Sequence, residues 1–219
     1  MIIPALLEKT PQGFAEKLVK IQTLPKGKVK SIQVDFCDGL FVPNETLAIH
    51  DFAEIGELSK KYTWEAHLMV IKPQNFDHYK TAGFSTIIVH YEAFDNEVQL
   101  ENAVEAITKL GMLPAIAISP ETPVSVLRYH TDNIKQFTIL SVEPGRQGSP
   151  FIPESIERVK TLRNMAPNAI IEVDGGVKQD NAATLLQAGA DYLVVGSALF
   201  ETENIKQNFH NIELAGTSI

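Results

Sequence analysis

The chain has a single cysteine, Cys37, which excludes an internal disulfide and any zinc site built from several thiolates. Basic residues are scarce: 19 Lys and Arg against 27 Asp and Glu leave a net charge of −8. A surface of that sign repels phosphate backbones and anionic lipid, so neither nucleic acid nor a membrane is an expected partner. A local anion site made of backbone N–H groups stays compatible with it. No run approaches the ~18 apolar residues of a spanning helix. The opening MIIPALLEKT lacks the basic start and apolar length of a signal peptide, and a cytoplasmic protein is the expectation. What is present is core material: 44% of the 219 residues are hydrophobic, enough for one large domain.

Short β-rich runs recur along the chain, each followed by helical spacing. The expected strands are 2–6, 29–35, 63–69, 86–90, 113–118, 137–142, 169–174 and 191–195. Helices are expected at 97–110, where Val98, Ala103, Val104, Ile107 and Leu110 mostly share a side, and at 179–188. Ala82-Gly83, Leu110-Gly111 and Ala188-Gly189 read as helix ends, because glycine enters the left-handed conformation there at least cost. Eight strand–helix units average about 27 residues each, close to a minimal βα unit. Strict alternation implies a parallel sheet covered by helices. An open doubly wound sheet would want G-x-G-x-x-G after its first strand, and none is there. The expected fold is therefore a closed (β/α)₈ TIM barrel over residues 1–210, with 211–219 as a C-terminal tail.

In such barrels chemistry gathers at the C-terminal strand ends. The second strand is expected to end at Asp35, the third near His67, the fourth at His90 and the seventh at Asp174. Alternation along a strand gives Gln33 and Asp35 one face, Glu65 and His67 another, and Glu172 and Asp174 a third. Asp38-Gly39 reads as a turn, and His90, within VHYEA, fits a plug for the barrel rim as well as a site residue. Asp35, His67 and Asp174 together would cost several kcal/mol if buried unpaired, which favours a working site. Glycine loops form a second constellation. Gly175 and Gly176 follow the seventh strand, and Gly196 and Ser197 follow the eighth, where this barrel class cradles phosphate. EPGRQGSPF (143–151), with Gly145, Arg146, Gln147 and Gly148, is long and polar enough to close as a lid.

IIPALL, VDFCDGLFVPN, AHLMV, VHYEA, EPGRQG, VDGG and VGSALF, in that order, resemble the landmarks of the ribulose-phosphate 3-epimerases. These are metal-dependent sugar-phosphate epimerases on a (β/α)₈ barrel. The resemblance implies Asp35 and Asp174 as acid–base pair, both also holding a divalent metal ion (zinc, iron, manganese or magnesium), with His67 as a further ligand. It implies that Gly145 to Gly148, Gly175, Gly176, Gly196 and Ser197 bind a substrate phosphate. The activity implied is interconversion of D-ribulose 5-phosphate and D-xylulose 5-phosphate. Four positions depart from the family pattern: Gln33 stands for a fourth ligand, His; Ala5 for Ser; Cys37 and Leu140 for Met, while Met69 is kept. A glutamine carbonyl can still bind a hard cation. Two alternatives accompany this reading: an epimerase of a six-carbon ketose phosphate such as allulose 6-phosphate, and a non-catalytic sugar-phosphate binder. A decarboxylase or synthase is disfavoured, since no D-x-K-x-x-D ends a strand. A sugar phosphate is the expected partner, and homo-oligomerisation is left open.

Overall fold

The computed structural model describes residues 1–52, 58, 60–144, 148–201 and 204–217. Eight strands, β1 (Ile2–Leu6), β2 (Ser31–Cys37), β3 (Thr63–Met69), β4 (Thr86–His90), β5 (Leu113–Ile118), β6 (Gln136–Leu140), β7 (Ile170–Asp174) and β8 (Tyr192–Val195), form a parallel barrel in sequence order. Closure comes from β1 pairing with β8, Ile3 opposite Val194. The barrel expected from the sequence is thus present.

Alternation divides each strand between two environments. Outward-facing Ile32, Val34 and Phe36 of β2, Trp64, Ala66 and Leu68 of β3, and Ile171 and Val173 of β7 join one large core beneath the helices. Inward, the upper part of the barrel holds small apolar groups, Ile88, Ala115, Ala117 and Leu140, packed together. Ile3, Ala5 and Val194 pack together on the inward face as well, and the polar inward residues Ser31, Gln33, Asp35, Glu65, His67, Thr138 and Glu172 are all buried. Deep in the barrel Ser31 Oγ donates to Glu65 Oε1 (2.6 Å) and Thr138 Oγ1 donates to Glu172 Oε2 (3.1 Å). Burial pushes the carboxyls of Glu65 and Glu172 up, most strongly Glu172, which also faces Glu65.

The helices start and stop where local chemistry dictates. Thr10 caps Pro11–Gln22 by accepting from Gly13 N (3.1 Å), with Pro at the first helical position. Asn96 does the same for Glu97–Lys109 through Gln99 N (3.1 Å). Gly83, Gly111 and Gly189 all take positive φ, as read from the sequence.

Four expectations need correction. The buried stripe of Glu97–Lys109 is Leu100, Ala103 and Ile107, spaced by three and four, and Val98 falls off it, 62% exposed. The connection between β5 and β6 is a 3₁₀ helix, Val124–His130. Strand β2 runs two residues beyond Asp35, so that carboxylate lies inside the mouth. Residues 211–217, set apart above as a tail, continue the helix Ile205–Thr217, because Ile212 buries its side chain one turn after Phe209.

Candidate active site

Neighbouring strands β2 and β3 are in a register that sets Gln33 beside Glu65 and Asp35 beside His67. Asp174 comes from β7, across the mouth, where it ends the strand beside Leu140 of β6. The three groups converge. His67 Nδ1 lies 3.3 Å from Asp35 Oδ1 and 3.1 Å from Asp174 Oδ2. One ligand atom from each of Asp35, His67 and Asp174 can be chosen so that all lie within 4.8 Å of one another, a group able to hold a metal ion.

Gln33 closes this group from below, but with the other end of its amide than the sequence suggested. Its Nε2 donates to Asp35 Oδ1 (2.7 Å) and Asp174 Oδ2 (2.8 Å) and stands 3.2 Å from His67 Nδ1. Two N–H groups face two carboxylates, so electrostatics favours nitrogen inward. The carbonyl Oε1 points away, buried, with no hydrogen-bond partner among the described residues. The amide thus stands where a cation would neutralise two acids. His67 shares that task. Burial opposes its charging, but hydrogen bonds to Asp174 and Asp35 outweigh burial and push it up to about 9. Asp35 is raised, first by burial and then by the charge of Asp174, against hydrogen bonds from His67 and Gln33.

The cleft above these residues spans about 580 Å³ with its open mouth included. Its far wall is made by Gly175, Gly176, Gly196 and Ser197, and by Gly148 and Ser149. At Gly176 (φ +63°) a Cβ would lie 2.9 Å from Phe151 Cα, so the loop after β7 can pass only as glycine. Met69 and Leu140 line the cleft, as does Ala5. Cys37 sits apart, packed against Val42 and Met69, and its burial pushes the thiol up to about 12. Gly145, Arg146 and Gln147 lie outside the described residues.

His90 proves to be wired to the site. Its Nε2 is 2.9 Å from His67 Nε2, the rings nearly parallel at 16° and meeting edge to edge. His90 Nδ1 is 3.2 Å from Glu92 Oε2, and Glu92 Oε1 accepts from Ser119 N (2.8 Å) and from Thr122 Oγ1. Those hydrogen bonds hold Glu92 below the usual carboxylate range despite its burial, while burial lowers His90. Sequence reasoning passed over Glu92, Ser119 and Thr122. The available signal was a carboxylate two residues past a strand-end histidine.

The family model for the ribulose-phosphate 3 epimerase family matches residues 1–200. Ribulose-phosphate 3-epimerase of Synechocystis is 33% identical over 209 residues, 93% of this chain and 89% of the relative. The enzyme of that name from Bacillus subtilis is 30% identical over 220 residues, 96% of this chain and 97% of the relative. The chloroplastic ribulose-5-phosphate-3-epimerase of Arabidopsis thaliana is 34% identical over 221 residues, 97% and 76%. Among solved structures, 3-hexulose-6-phosphate synthase from Salmonella typhimurium superposes with a TM-score of 0.72 at 16% identity, covering 99% of this chain and 98% of that one, a likeness of fold alone. With the family model spanning most of the barrel and three such relatives covering nearly all of the chain, the protein belongs to the ribulose-phosphate 3-epimerase family.

Proposed function

We propose that the protein is a sugar-phosphate 3-epimerase that interconverts D-ribulose 5-phosphate and D-xylulose 5-phosphate. The observation that carries this is the pairing of two carboxylates, Asp35 from β2 and Asp174 from β7, on one cleft whose far wall is glycine backbone. Inverting a carbon beside a carbonyl requires removing its proton from one face and returning one to the other. One carboxylate takes the C3 proton, the C–H electron pair becomes the C2–C3 double bond, and the carbonyl π pair moves onto the C2 oxygen, giving a planar enediolate. The opposed carboxyl then delivers its proton to the other face of C3, where the C2–C3 π pair forms the new C–H bond and the oxygen pair restores the carbonyl. The two acids leave with protonation states exchanged, and the reverse reaction or solvent resets them.

The residues fit a divalent cation. Two carboxylates and an imidazole are a donor set for such an ion, and the orphaned Gln33 Oε1 is a fourth donor once the amide turns over. When bound, the cation supplies positive charge beside the oxygens that become negative. The protein's own part is to hold the substrate flat between the acids. Gly175, Gly176, Gly196 and Ser197 leave backbone open to the phosphate, and Met69 and Leu140 give the sugar an apolar wall.

A panel of ketose phosphates, assayed by coupled conversion with protein loaded in turn with zinc, manganese, iron and magnesium, tests the reading. Turnover of ribulose 5-phosphate is expected. Turnover confined to a six-carbon ketose phosphate would replace the substrate, and none at all would leave a binder.

A further inference from the structure

We propose that His90 and Glu92 are positioning residues that fix the tautomer of His67, so that its Nδ1 presents a bare lone pair to the cation. The inference rests on the reading of Asp35, His67 and Asp174 as a cation site. It follows from the order in which hydrogen bonds must point along one chain of contacts.

The chain starts at Glu92. Its Oε1 accepts from the Ser119 backbone N–H (2.8 Å) and from Thr122 Oγ1, contacts that favour the ionised carboxylate, and an ionised carboxylate can only accept at its other oxygen too. The loop that provides these donors is itself pinned, because Arg158 donates to the carbonyls of Ser119 (2.8 Å), Thr122 (3.0 Å) and Pro120. Glu92 Oε2 then faces His90 Nδ1 at 3.2 Å. A carboxylate against a bare ring nitrogen would set two acceptors together beside a ring with 0% exposure, so Nδ1 of His90 carries the proton. Ser119 Oγ, at 3.5 Å, is too far to compete. In a neutral imidazole the other nitrogen is then bare. His90 Nε2 therefore accepts, and the group opposite it among the described residues is His67 Nε2, 2.9 Å away, which must donate. His67 is left with its Nδ1 free of a proton whenever the ring is neutral, and Nδ1 is the atom that faces Asp35 and Asp174. Phe41 packs against the His90 ring at 4.6 Å between centroids, shielding the relay from water that could offer alternative partners.

The arrangement predicts an unusual fate for a nearly isosteric change. In Glu92→Gln the Ser119 N–H and Thr122 hydroxyl still demand an acceptor at the Oε1 position, so the amide oxygen must stay there. The amide nitrogen then faces His90 Nδ1 and donates to it. His90 becomes the Nε2–H tautomer, His67 Nε2 becomes an acceptor, and the His67 proton is forced to Nδ1, into the cation site. A substitution that keeps size and most contacts would thus reverse the whole chain.

Two measurements on the full-length protein test this. Histidine side-chain ¹⁵N–¹H correlation spectra of the zinc-loaded protein should show His67 protonated at Nε2 and His90 protonated at Nδ1. Calorimetric titration with zinc should show binding about 10–100-fold weaker in Glu92→Gln than in the wild type, with the melting curve of the metal-free variant confirming that it folds. His67 protonated at Nδ1 in the zinc-loaded wild type would overturn the proposal, even if Glu92→Gln does not fold. So would equal zinc affinity in a folded Glu92→Gln. Failure of the wild type to bind zinc, manganese or cobalt would remove the cation-site reading and the proposal with it, an outcome distinct from the previous two.

Discussion

Replacing Gln33 by leucine isolates what its amide does in the metal-free protein. Leucine nearly matches the volume, so little cavity is opened, and the change removes one inward donor group and one outward orphan. The lost bonds run from Nε2 to Asp35 (2.7 Å) and Asp174 (2.8 Å). Each is charge-assisted and worth about 1.5–3 kcal/mol, so roughly 3–6 kcal/mol is withdrawn. The unpartnered Oε1 goes too, returning about 1–3 kcal/mol of desolvation cost. The net expectation is destabilisation centred on about 2–3 kcal/mol within a span of about 0–5, with the centre near 4–12 °C in melting temperature for a chain of this size. Urea unfolding in chelator measures the first figure. A cation should then stabilise Gln33→Leu by more than it does the wild type, because no amide has to give up its bonds first. If Gln33→Leu unfolds at the wild-type urea midpoint, and a cation raises both midpoints equally, the amide is not the stand-in described here.

Gln33→His should tighten binding of zinc by tenfold or more in calorimetric titration, since imidazole is the stronger ligand for such ions and the β2 register already aims residue 33 at the group. Gly176→Ala should raise KM for the sugar phosphate more than it lowers kcat, because its Cβ, 2.9 Å from Phe151 Cα at a φ of +63°, displaces the loop after β7 while leaving both acids in place. Glu172→Gln should flatten the pH dependence of stability. With its folded pKa raised by burial and by Glu65, Glu172 ionises first in the unfolded chain, so stability is fully present below about pH 4.5 and falls as pH rises from there towards the folded value. Urea midpoints at pH 5 and pH 8 should therefore differ less in the variant than in the wild type.

The barrel was legible in the sequence because each strand is a short β-rich run and several helices end at glycine, signals that act within a few residues. Asp35, His67 and Asp174 were legible for a related reason: period-two alternation puts a polar residue on the face that ought to be core. What failed depended on contacts distant in sequence. Residues near the β4 end meet the loop after β5 only because His90 pairs in register with Ala117, and that pairing brings Ser119 N to Glu92. Nothing near residue 92 announces it. Gln33 lies against Asp35 and Asp174, but which end of an amide turns inward is decided by the charges it meets, here two carboxylates on two strands. Val98 illustrates a smaller limit, an apolar residue counted toward a helical stripe from which its angle excludes it.

Exchange of the C3 proton tests the central claim most directly. Ribulose 5-phosphate incubated in heavy water with metal-loaded protein should gain deuterium at C3 as xylulose 5-phosphate appears, because each face of that carbon exchanges with a carboxyl group that equilibrates with solvent. Asp35→Asn and Asp174→Asn should each abolish net conversion, since an amide cannot accept the proton at neutral pH. An unexchanged C3 hydrogen, in ribulose 5-phosphate and in six-carbon ketose phosphates alike, with the wild type loaded in turn with zinc, manganese, iron and magnesium, would contradict two-carboxylate epimerisation at this site.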